Sequence, residues 1–156
     1  MTFQGPRSGF RVLVALVVTV ALSACTRSTA PEGQPPYKPV ASINQIMDSI
    51  VIPSSQAIFD AVVYSNGELV AAPKGDDQWH ALEMHALAVA EAANLLMMAP
   101  RAKDNGEWMK MAAAMNEQAV VTARAAEKKD LDGLLKAGSD LYNSCTACHE
   151  KYIPAE

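Results

Sequence analysis

Cysteine is scarce in this chain. There are three, Cys25, Cys145 and Cys148, and the last two are too close together to tie distant segments. Once Cys25 is given to the N-terminal signal described below, a long-range disulfide is excluded. A domain of this size must then rely on its core or on another kind of staple. Basic residues are also few, 13 against 17 acidic ones. With no basic surface to displace counterions from phosphates, nucleic acid is not an expected partner. Residues 12–22 form an apolar run too short to span a bilayer comfortably. No nucleophile–base pair, phosphate-binding loop or paired-acid constellation is present, so a classical hydrolytic enzyme is excluded and no enzymatic activity is expected. There is no internal repeat, and no strand alternation after residue 41, which leaves helices.

What is there begins with MTFQGPRSGFRVLVALVVTVALSAC. Arg7 and Arg11 precede the apolar run, the arrangement of a secretory signal peptide covering residues 1–24. The two arginines are not adjacent, so general export of an unfolded chain is expected rather than a twin-arginine route. The run ends in Leu22-Ser23-Ala24-Cys25, which resembles the lipobox of bacterial lipoproteins. That resemblance implies cleavage before Cys25, lipidation of its thiol and a protein anchored to a membrane rather than spanning it. Thr26 rather than Asp follows the cysteine, which by the same resemblance implies the outer membrane, with the domain facing the periplasm. Removing residues 1–24 takes away two of the 13 basic residues and no acid, lowering the net charge from −4 to −6. An acidic surface suits electrostatic steering towards a partner with a positive patch.

Residues 25–41 read as the lipid-anchored, flexible linker: TRSTAPEGQPPYKPVA after the cysteine is rich in Pro, Gly, Ser and Thr. Residues 42–156 read as the folded domain. Ser42 is placed to cap a first helix carrying Ile43, Ile46, Met47 and Ile50 at helical spacing. Pro53 interrupts this pattern, giving one kinked helix or two, with Ser54-Ser55 placed to cap the continuation. Asn66-Gly67 and the stretch around Gly75 mark a loop. A second helix from Asp76 or Asp77 carries Trp79, Leu82, Ala86, Val89, Ala93 and Leu96, and Pro100 stops it. A third, from about Asp104, carries Trp108, Met111, Met115, Ala119 and Thr122. Abundant alanine here favours helix and close approach of neighbours. A fourth starts at Asp130 and repeats Leu131, Leu134, Leu135, Gly138, Leu141 and Tyr142 into Cys145, Cys148, His149 and Tyr152. The expected fold is all-α, an antiparallel four-helix bundle, with Cys145-x-x-Cys148-His149 on the buried face of its last helix.

Residues three and four apart share a helix face, so Cys145, Cys148 and His149 are neighbours. Four chemistries compete for such a set. Zinc needs further ligands, and the only other histidines, His80 and His85, are five apart and make a poor pair. A redox dithiol usually sits at a helix N-terminus in a βαβ setting, not at the C-terminal end of a helix in an all-helical chain. A disulfide across these positions would be strained and would leave His149 unexplained. A covalently attached haem fits best: two thioether bonds hold the macrocycle's edge and the imidazole reaches the iron. Export fits as well, since c-type attachment takes place outside the cytoplasm.

An exported four-helix chain with C-x-x-C-H in its last helix, followed by an aromatic, resembles the class II c-type cytochromes, the cytochrome c-prime and cytochrome c556 group. The resemblance spans about residues 42–153 and rests on CTACHEKY and the helix count. It implies one covalently attached haem c, with Cys145 and Cys148 as thioether attachments and His149 as proximal iron ligand. Many cytochrome c-prime sequences have a basic residue after the aromatic. Ile153 stands there instead, which speaks against functions that depend on a proximal arginine.

In that family the first helix covers the distal face of the haem, with methionine in low-spin members and an apolar side chain in high-spin ones. Met47 is the only methionine of the first helix and is therefore the candidate distal ligand, in competition with Met84, Met97, Met98, Met109, Met111 and Met115. The plain alternative is that Met47 is simply core. His80 and His85 read as surface or rim residues, Trp79 and Trp108 as core anchors, Glu91 and Glu107 as solvated helix-face residues. The leading expectation is a membrane-tethered electron carrier with a Met/His-ligated haem and a redox partner protein; a homodimer is compatible with it. The alternative is a five-coordinate binder or sensor of NO or CO, with Ile46 or Ile50 over the iron. A third reading makes the haem a structural staple.

Overall fold

The computed structural model describes residues 1–2 and 37–153. Residues 3–24 of the signal peptide, Cys25 and the linker as far as residue 36 lie outside the described residues. The folded unit is Tyr37–Glu156. Its elements are α1 (Ile43–Ile46), a π-helical segment (Met47–Val51), α2 (Ile52–Phe59), β1 (Val63–Ser65), β2 (Glu68–Ala71), α3 (Asp76–Met97), α4 (Glu107–Glu127) and α5 (Leu131–Tyr152). No helix among the described residues is long and apolar enough to cross a membrane.

The first helix opens with a capping box. The Ser42 hydroxyl accepts from the Gln45 amide at 3.2 Å, and the Gln45 side chain accepts from the Ser42 amide at 2.9 Å. Pro53 neither ends nor splits this helix. Ahead of it the helix widens, with the Ile52 amide donating back to the Met47 carbonyl, five residues away. A wider turn accommodates a proline that has no amide to give and crowds the turn before it. Ser54 and Ser55 therefore do not cap a new helix. Both are buried within α2, and the Ser55 hydroxyl donates to the Ile52 carbonyl at 3.2 Å.

The expectation of a purely helical domain needs one correction. Residues after α2 form an antiparallel β-hairpin, pairing Ser65 with Glu68 and Tyr64 with Leu69, with a bulge beside Val63. Asn66 and Gly67 take φ values of 51° and 85° at its tip, the left-handed pair that a two-residue hairpin turn requires. β1 is exposed throughout and β2 nearly so. With neither face buried, nothing imposes the apolar–polar alternation by which a strand is usually recognised.

The long helices begin and end much as the sequence suggests. Asp76 and Asp77 occupy the first turn of α3, where acids complement the helix dipole. Asp104 does not begin α4 but caps it from outside, its carboxylate accepting from the Gly106 and Trp108 amides at 2.8 and 3.1 Å. Asp130 caps α5 by accepting from the Gly133 amide at 3.0 Å. Between α4 and α5, Lys129 adopts φ 55°, while Asp130 and Lys129 donate back to the carbonyls of Ala125 and Ala126. This is a Schellman closure with lysine where glycine is usual. So short a connection forces α4 and α5 to run antiparallel.

The four helical arms pack against one another. α4 makes the most extensive contacts, with α3 on one side and α5 on the other, and the first helix lies on α3 and α5. Small residues line the α3–α4 seam: Ala86, Ala90, Ala93, Ala112, Ala119 and Ala123 are all buried. The core falls into two clusters. The larger holds Ile46, Val51, Ile58, Val89, Leu96, Trp108, Met115 and Leu141. The smaller gathers Val62, Leu82, Ala125, Ala126 and Leu134 around Trp79. Both tryptophans are thus core anchors, one to each cluster.

Candidate functional site

The last two turns of α5 carry Cys145, Cys148, His149 and Tyr152 along one side of the helix. Aromatic and polar contacts hold this end in place. The Tyr152 hydroxyl donates to an Asp104 carboxylate oxygen at 2.5 Å. Its ring meets Trp108 edge to face, with centroids 5.0 Å apart at 81°. The Trp108 indole N–H in turn donates to the Leu96 carbonyl at 2.9 Å. Asp104 sits below the usual carboxylate range, first because of the Tyr152 hydrogen bond and then because of the two amides it caps. The same hydrogen bond pushes Tyr152 up to about 12.

The expectation of a buried face is corrected at the motif itself. Cys145 and Cys148 are half-buried, and His149 is exposed. Close packing along α5 ends at Leu141, which is fully buried. Beyond it the opposing side chains include Ser55 and Ala112, too small to reach α5, and a cavity of about 260 Å³ separates the helices. Its walls are mostly apolar, with Met47, Val51, Phe59, Trp108, Met111 and Met115 facing Cys145, Cys148 and His149. A second cavity of about 520 Å³ adjoins the same motif from the side of residues 39–44 and the α3–α4 connection. This larger one is of ordinary small-ligand size. Met47, Trp108, Cys148 and His149 line both.

The donor set at this place is therefore two thiols, one imidazole and the three thioethers of Met47, Met111 and Met115, of which Met47 alone lines both cavities. Both cysteines are free. Burial pushes both thiols above their ordinary pKa, and at Cys145 a hydrogen bond with Ser144 only partly offsets this. A reactive dithiol works through its thiolate, so the shift runs against that reading. No group of three or more His, Cys, Asp or Glu residues among those described is arranged to hold a metal ion.

Among the other candidates, Met111 and Met115 also line the smaller cavity, whereas Met84 is largely exposed on α3. Ile46 is packed into the core, and neither it nor Ile50 lines either cavity. His80 is a surface residue beside Glu83 at 3.4 Å. His85 approaches the Ser54 hydroxyl at 3.4 Å and lines a separate cavity against β2. Neither reaches the His149 cavities. Glu91 is exposed, and so is Glu107, which pairs with Lys110 at 2.8 Å. Sequence reasoning missed two features. Arg101 is buried, and the Asp104–Tyr152 bond joins residues 48 apart. Neither has a local signal, although an acid near a helix start and an aromatic near a helix end are the kinds of residue to test as a pair.

Fold and site together define a helical bundle whose C-terminal helix overhangs an apolar cleft lined by two thiols, an imidazole and three thioethers. Comparison with protein-family models, with curated proteins and with solved structures returned no significant match to this chain.

Proposed function

We propose that the domain is a class II c-type cytochrome that carries single electrons outside the cytoplasm, tethered to the membrane through a lipid on Cys25. The observation that carries this reading is that Met47 and His149, on different helices, line the same two cavities as Cys148, with Cys145 in one of them. Haem c bound in this cleft supplies reversible one-electron chemistry. Cys145 and Cys148 present neutral thiols, the form that burial favours, for two thioether links. His149 through its nitrogen and Met47 through its sulfur would be the residues that hold the iron. Thioether ligation opposite histidine raises the reduction potential and suits transfer with little rearrangement. Trp108 and Val51 exclude water from the cleft, while the exposed edge beside His149 leaves a short path to a redox partner protein.

The five-coordinate alternative puts Ile46 or Ile50 over the iron; neither lines the cavities, although Ile43, Val51 and Ile52 do. Absorption spectra of the purified protein in both redox states distinguish the two. The expected result is a low-spin spectrum with a thioether-to-ferric charge-transfer band that disappears in Met47→Ala. A high-spin ferrous form that readily takes up carbon monoxide would overturn the electron-carrier reading. Absence of any haem after expression with an intact maturation system would overturn the family assignment as well.

A further inference from the structure

Arg101 is the only charged side chain buried among the described residues, at 8% exposure. Its Nε donates to the Ala41 carbonyl at 2.8 Å and its Nη1 to the Leu95 carbonyl at 3.1 Å. These carbonyls orient the guanidinium but do not neutralise it, and none of the ion pairs among the described residues includes Arg101. A buried charge without a counter-ion is costly, so its retention calls for a partner. Arg101 lines the larger His149 cavity together with Lys103, and no Asp or Glu lines that cavity. In a chain of net charge −4, a ligand cavity with two cations and no acid is set up for an anion.

We propose that Arg101, with Lys103 beside it, is the counter-charge for a carboxylate side arm of the haem held at His149. This rests on the function proposed above. Three of the five guanidinium N–H donors take no part in the two carbonyl bonds, and a planar fork of such donors matches a carboxylate. The backbone bonds hold that fork in place before the ligand arrives. The proposal also accounts for why the α3–α4 connection lies against residue 41: the same arginine ties the two segments and charges the cavity wall.

The test is the reduction potential of the full-length, haem-loaded protein, measured by spectroelectrochemical titration. Arg101→Gln leaves the carboxylate uncompensated and favours ferric iron. The expected shift is about tenfold towards the oxidised form, a fall of about 59 mV for one electron. Arg101→Lys retains most of the wild-type potential, Lys103→Gln gives a smaller fall, and the control Arg124→Gln, exposed on α4, gives none. A haem-loaded Arg101→Gln protein with lowered thermal stability but wild-type potential overturns the proposal, leaving Arg101 a structural tie or the site of an unrelated anion. Should that variant not accumulate, Lys103→Gln decides, and an unmoved potential there overturns it too. Wild-type protein without haem instead defeats the functional reading on which the proposal rests.

Discussion

The two tryptophans mark two ends of the bundle that are built for different purposes. Around Trp79, aliphatic side chains close on one another, and the tight α4–α5 connection is braced by Lys129 reaching Asp76 at 2.7 Å. No thiol belongs to that cluster. Around Trp108 the packing stops short: thiols are half-buried, a guanidinium is enclosed, and the indole itself walls two cavities. The difference teaches where this fold keeps its stability and where it forgoes some. Empty space in an apolar interior forfeits contacts. The Trp79 end is not free of it, since clefts beside Val62 and Leu134 and beside Leu82 open there too, but no thiol lines them.

The sharpest way to break this comparison is at the thiols. The double change Cys145→Ala and Cys148→Ala should abolish covalent haem completely, read as loss of the haem mass on the denatured chain. Trp79→Phe at the other end should leave that mass in place. Next in size is a contrast in stability. Leu134 is fully buried at the Trp79 end, so Leu134→Ala should cost about 2–4 kcal/mol in urea unfolding. Met47 is only half-buried, and Met47→Ala should cost roughly 1 kcal/mol while changing the spectrum. Equal costs would show that the two ends are packed alike.

The smallest effect concerns pH. Because the Asp104 hydrogen bond raises Tyr152 to about 12, the folded state holds the phenolic proton more tightly than the unfolded chain does. Its contribution is complete below about pH 10, the ordinary tyrosine value, and fades as pH rises towards the folded one. Asp104 is lowered by the same bond, so its contribution is present above about pH 4 and is lost as pH falls through its folded value. Tyr152→Phe should therefore flatten the alkaline loss of stability between roughly pH 10 and 12 in thermal melts. An unchanged alkaline limb would mean that this bond does not hold the Trp108 end.

How far the sequence could be read differs between the same two ends. Trp79, Leu82, Ala86 and Val89 recur at helical spacing and are buried as expected, because close packing rewards the periodicity that the eye detects. Spacing also brings Cys145, Cys148 and His149 together, but it overstates their burial. A helix's own period says which side faces its neighbours, not whether those neighbours are large enough to touch it. Arg101 and the Asp104–Tyr152 pair were illegible for a related reason, since each is defined by partners distant in sequence. The hairpin is the opposite case. Asn66-Gly67 is a strong turn signal, but the exposed strands beside it carry no alternation that would tell a hairpin from a loop.

The widened turn at Met47–Val51 acts as a phase shifter. Each residue of an α-helix advances the side-chain direction by about 100°, so one extra residue within a turn re-aims everything upstream by that angle. α2 packs with its own azimuth, while the residues before it are set to another. Where the first helix directs its thioether is thus decided by the length of a segment as much as by the methionine in it. Deleting a single residue from Asp48–Val51 would leave every ligand candidate in the sequence and still turn Met47 by about 100° relative to α2.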